Sequence, residues 1–238
     1  MSEFEEGRRI PFRKIGAFSA AAIALICIAE LIVVAVCGLP PILGSAENWL
    51  AALQPNRFLG IVRTLGLDII LVALYAPLYL SLFFLLRTFR KGYPTLILSI
   101  AFSFIGIAVY FATNPTFSML YLSDRLAAAT TEVQRNQVLD SARTLIALWN
   151  GTGPIAATIL AGLSGLLVSI VMLQSRKFRP IVAIAGIIGN ALQLGPPVSI
   201  MPPAYPLVDP YLIMLGALAL LFWFVGIALR LFRAQASE

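Results

Sequence analysis

Residues 13–41 read RKIGAFSAAAIALICIAELIVVAVCGLPP. The run from Ile15 to Leu39 holds 25 residues and a single charged side chain, Glu30, with basic residues before it and two prolines after it. A membrane-spanning helix needs about 20 predominantly apolar residues, whereas the core of a signal peptide has roughly 7–15. We therefore interpret this stretch as an uncleaved first membrane helix and not as a cleavable signal.

The composition of the whole chain agrees with this interpretation. Of its 238 residues, 60% are hydrophobic and 12% are charged, and the mean hydropathy is +0.91. Average soluble domains carry about 25% charged residues. These values exclude a soluble enzyme, a disordered chain and a disulfide scaffold. The net charge of +6 comes from short basic clusters between apolar runs, so we expect no nucleic-acid partner.

The apolar runs predict an all-α polytopic helix bundle that forms one membrane domain over residues 1–238. Prolines stand at or just before four of the helix starts, where the missing N–H costs nothing; they are Pro94, Pro154, Pro180 and Pro210. The predicted spans are 15–39, 65–87, 94–112, 154–173, 180–199 and 211–230.

The basic residues predict the orientation of the chain. Twelve lysines and arginines fall on one side of this threading and five on the other. Cytoplasmic loops carry the excess of basic residues. We therefore expect a multi-pass protein of the cytoplasmic (inner) membrane of a prokaryote, with both termini in the cytoplasm and membrane lipids as partners.

Three longer segments connect the spans on the outer side. The first, Pro40–Thr64, carries Trp49 and is expected to hold a short interfacial helix. Residues 131–149 of the second have apolar side chains at helical spacing, which predicts an amphipathic helix with Thr130 or Thr131 as its N-cap. The third, Gly195–Pro210, contains six prolines and is expected to form an extended cover.

Two acidic residues lie inside the predicted spans, where an ionisable group is costly unless it is paired or hydrated. Glu30 lies in the outer third of the first span, and Asp68 lies near the outer end of the second. Arg63 is five positions before Asp68, which corresponds to about 140° around a helix. We therefore expect Arg63 to reach another helix, for instance at Glu30, and not to pair with Asp68.

Amide side chains extend this polar set. Asn190 and Gln193 lie in the outer half of the fifth span, and Asn150 precedes the fourth. We predict a polar, partly hydrated pocket that opens outward, lined by Glu30, Asp68, Asn190 and Gln193, with Arg63 and Asn150 near its rim. A structural polar network that orders the packing of the helices is the alternative.

One short motif points to chemistry that the chain lacks. Gly162-Leu163-Ser164-Gly165 matches the sequence around the serine of rhomboid-type intramembrane proteases. That serine needs a general base, which in the family is a histidine, and this chain has none. The small residues are better explained by close helix packing. We assign no catalytic residue, no metal site and no cofactor.

Several stretches together are similar to a known family. They are Asn56-Arg57 through Asp68, Asn114–Leu120, Val171–Ser175 with Phe178, and the last helix to Leu229-Arg230. In these stretches the chain resembles a prokaryotic family of six-helix membrane proteins that is classified only as a domain of unknown function. The resemblance implies a six-helix topology and draws attention to Asp68, but it brings no activity.

The leading functional hypothesis is the binding or transport of a small or lipid-like ligand through the outward-facing polar pocket. An intramembrane enzyme that uses Glu30 and Asp68 as acid and base groups on a membrane-embedded substrate is the first alternative. A structural or partner-binding membrane protein is the second.

Overall fold

A computed structural model describes residues 9–37, 45–64, 66–194 and 210–236 of the chain, and every regular element in these ranges is helical. The all-α prediction is therefore confirmed. A 3₁₀ turn at Arg90–Gly92 separates the fourth and fifth helices. The helices are α1 (Arg9–Cys37), α2 (Ala46–Ala52), α3 (Arg57–Arg63), α4 (Gly66–Leu86), α5 (Tyr93–Thr113), α6 (Thr116–Ala127), α7 (Glu132–Trp149), α8 (Thr152–Ser175), α9 (Pro180–Gln193) and α10 (Pro210–Ala236).

Five helical segments in the described residues are long and apolar enough to cross a membrane, and they contain α1, α4, α5, α8 and α10. α9 is apolar as well, but its 14 described residues measure about 21 Å, less than the roughly 30 Å of a hydrocarbon core. The predicted span 180–199 includes 195–199, which lie outside the described residues. The chain thus has the composition and helix lengths of an integral membrane protein.

The helix starts follow the local signals in the sequence. α9 and α10 begin at Pro180 and Pro210, and Pro94 is in the first turn of α5. Thr131 caps α7, where its hydroxyl accepts a hydrogen bond from the Gln134 N–H at 3.2 Å. The amphipathic helix predicted for 131–149 is confirmed. At the far end of α8, Arg176 adopts the left-handed conformation with φ 55°, which ends that helix.

Six of the helices form a closed ring. Each packs against two neighbours, in the order α1, α4, α5, α8, α9, α10 and back to α1. Large apolar side chains point away from the ring, for example Phe18, Leu25 and Val36 of α1, of which 65%, 67% and 78% is exposed. Apolar surface on this scale is normal only where lipid or another protein covers it.

Contacts between helix ends define a basic end of the ring, where α1, α5 and α9 begin and α4, α8 and α10 end. Lys177 Nζ donates hydrogen bonds to the Leu85 carbonyl at 2.5 Å and to the Thr88 hydroxyl at 2.6 Å. Arg230 Nε donates to the carbonyl of Lys177 at 2.7 Å. These bonds tie the short turns together on the side that holds the larger set of basic residues.

The opposite end carries a cap made of α2, α6 and α7, which pack on one another around their own core. Trp49 is completely buried in this core, beside Leu50 and Met119. The cap is tied by an ion pair of 2.9 Å between Arg143 and Glu47. The segment 40–64, predicted to hold an interfacial helix, thus contains helices in its described part, and its tryptophan fills a protein core.

Candidate functional site

A cavity of about 250 Å³ lies inside the ring, toward the cap. Its wall combines residues from the beginning of α4 and α8, the end of α5, α7 and α9, and the middle of α10. The lining residues are Asp68, Leu71, Val72, Tyr75, Tyr79, Ser103, Gly106, Ile107, Tyr110, Trp149, Pro154, Ala157, Thr158, Ala161, Asn190, Gln193, Trp223 and Phe224.

The position of the cavity follows from the distribution of large side chains. The half of the ring near the basic end is filled by a core that includes Leu82, Leu86 and Met172, none of which is exposed. Toward the cap, the facing positions of α5 and α8 are small: Gly106 lies against the backbone of Ala157 and Ala161. Small residues let the helices approach while leaving the interior of the ring unfilled.

The acidic end of the cavity joins two helices. The carboxyl groups of Asp68 in α4 and Glu30 in α1 lie close enough to interact directly. Asp68 lines the cavity, and Glu30 stands behind it in the neighbouring helix. The sequence placed both acids at a similar depth, and the structure brings them into direct contact.

Aromatic side chains form the deep part of the cavity. Tyr75 stacks on Phe224 with 6.0 Å between ring centroids and meets Tyr79 edge to face at 6.2 Å. Trp223 packs against Phe224 at 4.9 Å. Because Tyr75 and Tyr79 follow Asp68 by seven and eleven residues, one face of α4 carries the carboxyl group at one end and aromatic rings at the other.

Polar and aromatic groups lie at the cap end. The Tyr110 hydroxyl accepts a hydrogen bond from Asn114 Nδ2 at 2.9 Å, and its ring meets Trp149 edge to face at 5.9 Å. Trp149 is the last residue of α7, so the cap contributes directly to the wall. Gln193, at the end of α9, lines the same region.

Asn190 joins two walls of the cavity. Its Nδ2 donates to the Gly186 carbonyl at 2.7 Å in its own helix. Its Oδ1 lies over Gly165 of α8, where an added Cβ would be only 1.8 Å away. Gly165 is therefore required for the approach of α8 and α9, as the packing interpretation of the small residues predicted.

Ser164, the serine of the protease-like motif, is fully buried in the α5–α8 interface. Its Oγ donates to the Ser99 carbonyl at 2.7 Å. The hydroxyl is thus occupied in holding helices together. No group of three or more potential metal ligands occurs in the described part of the chain.

The remaining predicted site residues are placed differently. Asn150 is exposed and ends α7, where its N–H bonds the Ile146 carbonyl, and it does not line the cavity. Arg63 is the last residue of α3 and its side chain lies outside the described part of the chain. The helical spacing used to relate Arg63 to Asp68 was wrong, because α3 ends at Arg63 and α4 begins only at Gly66. The expected cover, 195–210, lies outside the described residues except for its last position.

Several lining residues were not predicted from the sequence. On α5, the stripe Ser103, Gly106 and Tyr110 faces the cavity with spacings of three and four, which is one face of a helix. That stripe of small and polar residues in an apolar span was the available signal. Trp149 and Trp223 had no such signal, since tryptophan is also common at lipid-facing positions.

No family model, no curated protein and no solved structure matches this chain.

Proposed function

We propose that this chain is a six-span membrane protein that binds a small amphiphilic molecule in the cavity inside its helix ring. The observation that carries the proposal is the polarity of that cavity. The carboxyl group of Asp68, the hydroxyl of Tyr110 and the amide of Gln193 lie toward the cap. The stacked rings of Tyr75 and Phe224 lie deeper. A ligand with one polar end and one apolar end matches this gradient.

The size of the cavity limits the ligand. A dry cavity of about 150 Å³ accommodates benzene, so about 250 Å³ accommodates on the order of ten non-hydrogen atoms. A full phospholipid is much larger. A short single-chain amphiphile is the appropriate size.

The polar end of the ligand is expected to donate hydrogen bonds, with an ammonium group as the strongest donor. Asp68 carries the one carboxyl group among the described lining residues. A carboxylate in a low-dielectric site is stabilised by a cation or by N–H and O–H donors, and it repels anions.

Tryptophan fluorescence can test this binding. The chain has three tryptophans, of which Trp149 and Trp223 line the cavity and Trp49 lies in the cap core. In a Trp49→Phe variant in detergent, octylamine should change the emission saturably, and octanoate should not. A variant with Trp149→Phe and Trp223→Phe keeps Trp49 and is the control for general amphiphile effects.

The carboxyl group is tested in the Trp49→Phe background. Asp68→Asn should weaken the response to octylamine by about tenfold or more, the loss expected for a charge-assisted hydrogen bond. The matched control is Asp140→Asn on the exposed face of α7, which should leave the response unchanged. Equal responses to octylamine and octanoate, or an unaltered response in Asp68→Asn, would contradict the proposal.

The six-span topology and the cytoplasmic termini belong to the same proposal. It is supported by the gathering of basic residues at one end of the ring and by the place of α9 between α8 and α10. Six helices are also what the family resemblance implies, and membership of that family stays a prediction.

The topology can be tested by labelling single cysteines in a background in which Cys27 and Cys37 are replaced by alanine. Lys91→Cys at the basic end and Gln137→Cys in the cap are both exposed positions. In intact cells, a membrane-impermeant maleimide should label position 137, and it should label position 91 only after permeabilisation. The reverse pattern would overturn the orientation.

A further inference from the structure

A second concave surface lies at the basic end, on the outer side of the ring between α9 and α10. It encloses about 210 Å³ and is separate from the central cavity, with which it shares no residue. The groove is lined by apolar side chains of both helices and by Arg179, Arg230 and Arg233.

The floor of this groove is built by close packing of the two helices. A Cβ at Gly226 would lie 2.6 Å from the methyl carbons of Val182, so only glycine permits this approach. The rims are apolar and open: Ile181 is 62% exposed, Phe222 47% and Leu229 51%. These exposed rims place the groove on the outer surface of the bundle.

The charges of the groove are all of one sign and all at one end. Arg179 precedes α9, and Arg230 and Arg233 lie in the last part of α10, whereas Phe222 and Val225 lie deeper along the helix. Arg230 is held in place by the bond from its Nε to the Lys177 carbonyl. Among the described residues, no carboxylate forms an ion pair with these three arginines.

We propose that this groove binds an anionic phospholipid of the adjacent leaflet, with its phosphate at the three arginines and an acyl chain along the apolar rim. The guanidinium group matches phosphate oxygens with two parallel N–H donors, so arginine is well suited to hold a headgroup. The distance from Arg233 to Phe222 along α10, eleven residues or about 16 Å, extends from an interface into the hydrocarbon region.

The positive-inside rule explains why many basic residues lie at this end of the ring. It does not explain why three of them line the groove. Arg90 and Lys91 are exposed at the same end and do not line the groove. They therefore provide a control in which the same charge is lost from the same side of the protein.

The test uses the full chain purified in a neutral detergent and native mass spectrometry with added phosphatidylglycerol or phosphatidylcholine of identical acyl chains. The wild type should retain phosphatidylglycerol in preference to phosphatidylcholine. Arg179→Gln with Arg233→Gln should lower that occupancy by about tenfold or more, since each basic residue contributes substantially to attraction of anionic lipid. Arg90→Gln with Lys91→Gln should change it less than about twofold.

A single substitution keeps the test available if the double glutamine variant does not fold. In that case Arg233→Gln alone is compared with the wild type, because the Arg233 side chain is exposed and its replacement leaves the packing of α10 intact. Equal losses from the two charge pairs, equal retention of the two lipids, or full competition by inorganic phosphate at the lipid concentration would each overturn the proposal.

Discussion

Ser99 and Ser164 exchange hydrogen bonds across the interface of α5 and α8. Ser99 Oγ donates to the Ser164 carbonyl at 2.8 Å, and Ser164 Oγ donates to the Ser99 carbonyl at 2.7 Å. Both side chains are fully buried. The pair fixes the register of two helices whose next turns toward the cap form a wall of the cavity.

The reciprocal bonds predict energetic coupling between the two serines. Ser99→Ala and Ser164→Ala should each lower the free energy of unfolding by about 1 kcal/mol. The double variant should lose less than the sum, with a coupling of about 0.6 kcal/mol, the average for such pairs in membrane bundles. Unfolding in mixed micelles, followed by far-UV circular dichroism, measures this, and strictly additive losses would contradict a cooperative pair.

The contact of Asn190 with Gly165 predicts a steric effect at one position. Gly165→Ala places a Cβ on the Asn190 amide and should destabilise the bundle by about 1–3 kcal/mol through overpacking. Gly106→Ala is the matched control, because its Cβ would lie 3.3 Å from Leu160 Cβ, a far milder contact. Adding Asn190→Ala to Gly165→Ala should restore most of the lost stability, as measured by thermal unfolding. If the double variant stays as unstable as Gly165→Ala, the cause is not the contact with Asn190.

The cap has its own core, which predicts unequal effects for two leucines of α7. Leu139 is 5% exposed and packs in the cap, whereas Leu148 is 64% exposed. Leu139→Ala should lower the free energy of unfolding by about 2–5 kcal/mol, and Leu148→Ala by about 0.5 kcal/mol or less. Limited proteolysis of the cap compares the two variants. Similar cleavage rates would mean that the cap core contributes little to the stability of α7.

The carboxyl group of Glu47 predicts a pH dependence of the cap. Hydrogen bonds from its own backbone N–H and from Ser45, together with the nearby Arg143, lower the pKa of Glu47 below its ordinary value. Because the pKa of Glu47 is lower in the folded protein than in the unfolded chain, its carboxylate stabilises the folded cap above about pH 4.3. This stabilisation is lost as the pH falls through the pKa of the folded state.

This dependence can be read from Trp49 in a variant without Trp149 and Trp223. Between about pH 6 and pH 3, the wild-type cap should become more accessible to acrylamide, and Glu47→Gln should show a smaller change. Glu132→Gln, in the first turn of α7, keeps the Arg143 ion pair and serves as the control. The same pH dependence with and without Glu47 would contradict this assignment.

Much of the fold could be predicted from local signals. The helix bounds agreed within a few residues at most ends, because apolar runs of about 20 residues have few alternatives and prolines at 180 and 210 begin their helices. The cap was only partly predicted. α6 (Thr116–Ala127) was not recognised, because its short amphipathic pattern gives a weak signal next to the long apolar spans.

The long apolar runs are enough to establish an apolar helical bundle, and the polar residues inside them single out Asp68, Asn190 and Gln193, which line one cavity. Burial of polar groups in an apolar segment is costly, so such residues stand out in the sequence. The tertiary structure alone decided that six helices close into a ring, that Glu30 meets Asp68, and that Trp149 of the cap completes the wall. Those contacts join residues far apart in the chain, and they depend on which faces of the helices pack together, which local hydrophobic pattern does not specify.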